Sequence, residues 1–241
     1  VSMGVCIPTK IGHSVDELIK NSISAETTAR KKGSGISIYN AELHGKAIDR
    51  LRLEHELHNA VSQNELRVYY QPIVSLPEGK KVGSESLVRW QHPIRGLLTP
   101  YHFIQLAEDV GIIASIDEWV FRESCRHHML QANQDAAFSM YVSVNISVKE
   151  LNANWVKRIF SIIDEFSMPP QCVHIEITES IFLGNIEEAI SLLNQLVDIG
   201  ISFAIDDFGT GYSSFSYLKH LPATYLKIDK TFVDDIIKDP K

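Results

Sequence analysis

The chain has 241 residues, and its 44% hydrophobic content excludes intrinsic disorder and supports one large or two smaller folded domains. Its formal net charge of -7 offers no basic face for duplex nucleic acid, so an anionic partner would need metal ions to supply positive charge. The sequence has no membrane segment and no signal-peptide pattern, and its three cysteines match no disulfide or zinc spacing, which indicates a reducing, cytoplasmic setting.

The first 40 residues have the pattern of the end of a domain. Two short strands flank a helix that is expected to begin after a capping box of Ser14 and Glu17 and to end at Gly33. Because these elements are too few to form a core, we predict that residues 1–40 are the tail of a domain whose body lies upstream. The charged stretch at residues 41–62 predicts an amphipathic linker helix.

From residue 63 onward, predicted strands alternate with predicted helices. The strands are Arg67–Ser75, Lys81–Trp90, Met140–Ile146, Val173–Thr178, Ile201–Asp206 and Thr224–Asp229. The helices are Ile116–Gln131, Val148–Glu165, Ile186–Ile199 and Ser213–His220. This alternation predicts an α/β fold with a largely parallel sheet, either doubly wound or closed as a barrel. Only the first two strands are joined by a short connection, which permits antiparallel pairing alone.

Five of these strands each carry a polar residue on the face opposite their apolar, helix-covered face. In a barrel, this polar face would point inward. These residues are Glu85, Asn145, Glu176, Asp206 and Lys227. In a parallel barrel the C-terminal ends of the strands meet at one mouth, where active sites lie. One inward polar residue is usually a structural hydrogen-bonding group, but five strands that repeat the arrangement favour a functional site.

Three carboxylates and an amide are oxygen ligands of the kind that Mg²⁺ and Mn²⁺ prefer. The neighbours Asp206 and Asp207 repel each other unless a cation or a proton intervenes, so Asp207 is expected to hold a second ion. Such a site would bind phosphate and activate water for in-line attack, with Lys227 acting on the phosphoryl oxygens or the water. Gly209 and Gly211 give the next loop unusual backbone freedom, and Glu179 is expected to hold that loop by hydrogen bonds.

Six motifs in order along the chain carry a resemblance to a known family. They read QPIV, ESLVRW, VSVNIS, EITES, DDFGTGYSS and YLKIDKTFV. Through them, residues 63–241 resemble the EAL domain of cyclic di-GMP phosphodiesterases, and residues 1–40 resemble the end of a GGDEF domain. The resemblance implies a modified TIM-type (β/α)8 barrel with an antiparallel first strand. It also implies hydrolysis of cyclic di-GMP to the linear dinucleotide pGpG with Mg²⁺ or Mn²⁺.

The resemblance assigns roles to single residues. The ligands of a first metal ion would be Glu85, Asn145, Glu176 and Asp206, and Asp206 and Asp207 would share a second ion. Lys227 would assist the water, and Glu85 belongs to the catalytic set through the first metal. Glu179 would order the glycine loop, which in the family couples to dimerisation, so a homodimer is expected. The residues in contact with the dinucleotide would be Gln71, Leu87 and Arg89, with Arg89 binding phosphate.

The sequence departs from the family pattern in two places and is compatible with two alternative functions. Ser86 replaces the alanine of the name-giving motif, but it is small and faces away from Glu85, so little effect is expected. The family's last two strands and its general-base glutamate do not occur before Lys241, which predicts an open barrel edge. One alternative is a receptor that binds cyclic di-GMP without turnover. The other is a glycosidase that uses Glu176 and a second carboxylate without metal.

Overall fold

A computed structural model of the chain describes residues 1–8, 14–135, 138–147, 149, 151–183, 185–209 and 220–236. The chain forms two compact units, Val1–Glu56 and Leu57–Lys241. Within the described residues, no helix combines the length and apolar character that crossing a membrane requires.

The smaller unit contains two short parallel strands and one long helix. Its elements are β1 (Met3–Val5), α1 (Val15–Lys32), β2 (Ile36–Ile38) and the first part of α2 (Ala41–Ala60). The hydroxyl of Ser14 accepts a hydrogen bond from the backbone N–H of Glu17 at 3.2 Å, which confirms the predicted helix start. Gly33 ends α1 in the left-handed region with φ of 63°, as the sequence predicts.

The larger unit is built on one mixed sheet. Its strands are β3 (Leu66–Ser75), β4 (Lys80–His92), β5 (Gly96–Leu98), β6 (Tyr141–Asn145), β7 (Val173–Thr178), β8 (Ser202–Phe208) and β9 (Tyr225–Ile228). Its helices after α2 are α3 (Ile104–Asp109), α4 (Ile113–Gln134), α5 (Ala153–Phe166), α6 (Ile186–Val197) and α7 (Lys230–Ile236). Short 3₁₀ helices lie at Pro100–His102, Pro170–Cys172 and Glu179–Leu183.

The strand order of this sheet is β3-β4-β6-β7-β8-β9, with β5 paired to β4. Strands β3 and β4 are antiparallel, and the steps from β4 through β6, β7 and β8 to β9 are parallel. This arrangement confirms the α/β prediction and the antiparallel first strand. The sheet formed by the described residues does not close, as expected for a partial barrel.

Both faces of β7 are buried, so side-chain contacts and not burial confirm the predicted sidedness of the strands. The outward-facing residues Val173, Ile175 and Ile177 of β7 are buried, with exposures of 0%, 0% and 3%. On β4, the hydroxyl of Ser86 lies 2.8 Å from that of Ser124 on α4, so Ser86 faces the helical layer as predicted.

The structure differs from the predicted elements at α5 and at three short elements. Helix α5 begins at Ala153, not at residue 148, because the side chain of Asn152 caps it by accepting bonds from the N–H groups of Asn154 and Trp155 at 3.0 Å. Strand β5 and helices α3 and α7 were not predicted, since runs of three to seven residues are too short to display a period. Most of the helix predicted at 213–220 lies outside the described residues.

Candidate functional site

Five neighbouring strands bring charged and amide side chains to one place. Parallel register pairs Asn145 of β6 with Glu176 of β7. It pairs Asp206 of β8 with Thr178 of β7, which is two residues after Glu176 on the same face. Carboxylate oxygens of Glu85, Glu176 and Asp206 lie within 4.8 Å of one another. Three residues that lie far apart in sequence therefore form one acidic cluster on the inner face of the sheet.

The ammonium group of Lys227 lies inside this cluster. Its Nζ donates hydrogen bonds to Oε2 of Glu85 at 3.2 Å, to Oδ2 of Asp206 at 3.0 Å, and to Oε2 of Glu176. Burial by itself would lower the pKa of Lys227, but the hydrogen bond and charge of Glu176, with the charges of Glu85 and Asp206, raise it above its ordinary value. Lys227 is therefore a permanent cation that offsets part of the carboxylate charge.

Glu176 is the most deeply buried member of the cluster, with an exposure of 2%. Its Oε2 accepts from Lys227, and its Oε1 accepts from the hydroxyl of Ser143 at 2.5 Å. Burial raises the pKa of Glu176, while Lys227 and Ser143 oppose that shift by bonding to the charged form. Both carboxylate oxygens of Glu176 thus have defined partners.

Asn145 lies at the end of β6, beside Glu85. Its Nδ2 donates to Oε1 of Glu85 at 2.9 Å, so the amide oxygen is the atom through which Asn145 would bind a cation. The turn that follows is anchored, because the N–H of Ser147 donates to Oδ2 of Asp117 at 2.9 Å and its hydroxyl donates to Glu108 at 2.9 Å. These bonds tie the end of β6 to helices α3 and α4.

Asp207 is not one of the three carboxylates that converge. It is exposed, and its backbone has φ of 54°, a left-handed conformation that Asp tolerates better than most residues. Its N–H donates to Oδ1 of Asp206 at 3.0 Å. Partial burial, followed by the charges of Asp206 and Asp229, raises the pKa of Asp207. Its role as a ligand of a second ion stays a prediction.

Glu179 follows directly on β7, at the start of the 3₁₀ helix, and is buried with an exposure of 6%. Most of the loop that it is predicted to hold, residues 210–219, lies outside the described residues. Gly209, at the start of that loop, has φ of 97°, which confirms that the backbone here adopts a conformation suited to glycine.

The three predicted substrate-binding residues lie on the antiparallel pair β3 and β4, and one of them lies opposite a member of the acidic cluster. Gln71 lies directly opposite Glu85, and Leu87 lies opposite Tyr69, so these side chains share the inner face. The guanidinium carbon of Arg89 lies 5.6 Å from the centre of the Tyr69 ring. Such a contact restrains a cationic side chain without neutralising it.

Alternation places four further residues on the inner face, but the sequence did not single them out as part of the site. Ser143 bonds to Glu176, and the rings of Tyr141, His174 and Tyr225 form a stack with centroid separations of 3.7 and 5.1 Å. His174 lies two residues before Glu176, Tyr225 two residues before Lys227, and Tyr141 two residues before Ser143, so the three rings share the inner face. Burial lowers the pKa of His174 to about 4, so its ring is neutral at physiological pH.

The donor set fits a divalent cation. Three carboxylates and the amide of Asn145 supply hard oxygen atoms, the ligands that Mg²⁺ and Mn²⁺ bind. The contacts of Lys227 with all three carboxylates show that the cluster attracts positive charge. No nitrogen or sulfur ligand belongs to the clustered set, which disfavours a zinc site among the described residues.

Comparison with known proteins adds a family match and close relatives. The EAL domain family matches residues 54–241. The bifunctional diguanylate cyclase/cyclic di-GMP phosphodiesterase MucR of Pseudomonas aeruginosa is 36% identical over 240 residues, which are 99% of this chain and 35% of MucR. The cyclic di-GMP phosphodiesterase NbdA of the same organism is 36% identical over 237 residues, 98% of this chain and 30% of NbdA.

A solved structure described as the PaMucR phosphodiesterase in complex with c-di-GMP resembles this chain closely. Its TM-score is 0.74 at 39% sequence identity, and the match covers 78% of this chain and 76% of that one. The chain spans between 29% and 35% of the length of the first curated relatives that it matches.

Proposed function

Because the chain belongs to the EAL domain family, we propose that its site hydrolyses one phosphodiester bond of cyclic di-GMP and gives the linear dinucleotide pGpG. The observation that carries the proposal is the convergence of Glu85, Glu176 and Asp206 around Lys227. The names of MucR and NbdA, which both include cyclic di-GMP phosphodiesterase, support the same substrate.

The metal would be Mg²⁺ or Mn²⁺, with two ions bound. The ligands of the first ion would be Glu85, Asn145, Glu176 and Asp206, and Asp206 and Asp207 would share the second. When bound, such ions neutralise phosphate charge and lower the pKa of the attacking water. The acidic cluster alone would repel the substrate, so the proposed metal dependence explains how an acidic chain binds an anion.

Lys227 and the β3–β4 residues would orient the reactants. Lys227 reaches all three carboxylates, so its ammonium group is close enough to hold a water molecule or a phosphoryl oxygen at the same place. Arg89 would bind a phosphate of the dinucleotide, and Gln71 and Leu87 would contact the rest of it. Hydrolysis adds a water oxygen to phosphorus and breaks one ester bond, and the leaving ribose oxygen takes up a proton. Glu179 would order the loop after Asp207.

The rest of the assignment concerns the chain's organisation. Residues 1–40 would be the end of a GGDEF domain, residues 41–62 a linker helix and residues 63–241 the EAL domain. MucR supports this order, because its name joins a diguanylate cyclase to a phosphodiesterase and its match covers 99% of this chain. The protein would be cytoplasmic, which is where the nucleotide is found. It would form homodimers through the EAL domain.

The test is turnover of cyclic di-GMP by the whole purified protein with Mg²⁺ or Mn²⁺. Chromatography measures the remaining substrate and the linear product. We expect pGpG to form, EDTA to abolish its formation, and Glu85→Ala to remove activity. The matched control is Glu78→Ala in the exposed β3–β4 turn, which should change the rate by no more than about twofold. Binding of cyclic di-GMP without turnover at saturating metal would contradict the proposal and identify a receptor. Formation of pGpG that survives EDTA would contradict the proposed metal dependence.

A further inference from the structure

Ser143 is an inward-facing hydroxyl group that none of the proposed roles uses. It lies in the middle of β6, where it is the Cα partner of Glu85 on β4 and of His174 on β7. Its exposure is 2%, so water does not compete for its hydroxyl group. That hydroxyl lies 2.5 Å from Oε1 of Glu176.

The direction of this hydrogen bond follows from chemistry. An ionised carboxylate only accepts hydrogen bonds, so Ser143 is the donor and Glu176 the acceptor. The bond fixes one oxygen of Glu176, and Oε2, the other oxygen, points to Lys227. A carboxylate held in this way cannot rotate about its terminal torsion, which is otherwise broad.

We propose that Ser143 is a positioning residue that holds Glu176 with its Oε2 directed to the cation site. This inference rests on the proposed metal-dependent function. Ser143 would not touch the metal ion, and would act through Glu176 by fixing which oxygen is available. Hydrogen-bonding partners of ligating carboxylates have this effect in metal sites generally.

The chain offers a matched control on the other face of the neighbouring strand. Ser86 also has an exposure of 2%, and its hydroxyl lies 2.8 Å from that of Ser124 on α4. Both serines are buried in strands and both hydroxyl groups have a hydrogen-bonding partner. Only Ser143 bonds to a member of the acidic cluster. Replacement of each serine by alanine removes the same atom at equal burial, so the two variants separate positioning from a general packing effect.

The experiment is a titration of the whole protein with Mn²⁺. Electron paramagnetic resonance of the free ion measures how much Mn²⁺ is bound at each concentration. We expect Ser143→Ala to weaken Mn²⁺ binding by about 10- to 100-fold, the effect typical of losing such a partner. Ser143→Thr keeps the hydroxyl group and suits a strand, so it should bind Mn²⁺ nearly as tightly as the unchanged protein. Ser86→Ala should leave the affinity unchanged. Circular dichroism of each variant confirms that it is folded.

The outcomes distinguish the inference from the proposed function. Tight Mn²⁺ binding by the unchanged protein with equal affinity in Ser143→Ala would overturn the positioning role and leave the metal site intact. Equal losses in Ser143→Ala and Ser86→Ala, or in the alanine and threonine variants of Ser143, would also overturn it. If the unchanged protein bound no Mn²⁺, the proposed metal dependence and the role of Ser143 would both be wrong.

Discussion

The inner and outer faces of the same parallel strands bury opposite kinds of side chain. On β7, Glu176 faces inward at 2% exposure, and its neighbour Ile175 faces outward at 0%. Burial of apolar area on the outer face stabilises the folded state. Burial of charge on the inner face destabilises it, and the hydrogen bonds from Lys227 and Ser143 to Glu176 offset part of that cost. The outer face therefore stabilises the fold, and the inner face brings together the side chains of the proposed site.

The largest effect is expected from the inner-face cation. Lys227→Met removes the ammonium group that contacts three carboxylates, and should lower kcat by about 10²- to 10³-fold, the range for losing one group that stabilises charge in the transition state. The measurement is the rate of pGpG formation at saturating Mg²⁺. Lys230→Met makes the same change at a side chain with 84% exposure and should leave kcat unaltered. Full activity of the Lys227 variant would show that this inner-face cation takes no part in the reaction.

Arg89 should affect substrate binding more than the chemical step. Loss of a charge-assisted hydrogen bond costs about 1.5–3 kcal/mol, so Arg89→Ala should lower kcat/KM by roughly 10- to 150-fold, mainly through KM. Steady-state kinetics with cyclic di-GMP would measure this effect. The control is Arg67→Ala, since Arg67 is the cross-strand partner of Arg89 and its guanidinium bonds to the backbone oxygens of Asn64 and Leu66. Equal losses in both variants would indicate general electrostatic attraction and not a specific contact.

The outer face should affect stability and not metal binding. Ile175→Ala empties fully buried volume and should lower the free energy of unfolding by about 2–5 kcal/mol. Urea unfolding measures that loss, and Mn²⁺ titration of the folded variant should give the affinity of the unchanged protein. A large loss of Mn²⁺ affinity in folded Ile175→Ala would show that the two faces are not separable.

The smallest effect concerns a buried histidine of the outer layer. His128 on α4 packs edge-on against Phe138 with ring centroids 5.0 Å apart, and burial, followed by the charge of His127, lowers its pKa. The unfolded chain therefore binds a proton at higher pH than the folded one, so stability falls as pH drops below about 6.5. His128→Leu should flatten this acid dependence in thermal unfolding scans between pH 7 and 5. An unchanged slope would mean that other groups cause it.

Alternation of side chains predicted much of the sheet and of the candidate site. The bounds of β7 match the prediction, and Glu85, Glu176, Asp206 and Lys227 converge because parity and parallel register both follow from the backbone. Parity also placed Ser143 on the inner face, but an inward serine carries no charge that marks it as functional.

The remaining features depend on three-dimensional detail that sequence patterns do not contain. The bond between Ser143 and Glu176 depends on the distance between two strands, and the left-handed backbone of Asp207, with φ of 54°, has no marker in the sequence. The start of α5 depends on the capping bonds of Asn152, which compete with a helical pattern that continues upstream in the sequence. Short elements such as β5 form because β4 provides a partner.

The most direct test of the central claim is a crystal of the protein soaked in Mn²⁺ and measured for anomalous scattering. A manganese peak bounded by oxygen atoms of Glu85, Asn145, Glu176 and Asp206 is the predicted result. A map without a peak there at saturating Mn²⁺, or with manganese bound only at other carboxylates, would contradict the claim that these strands build a metal site.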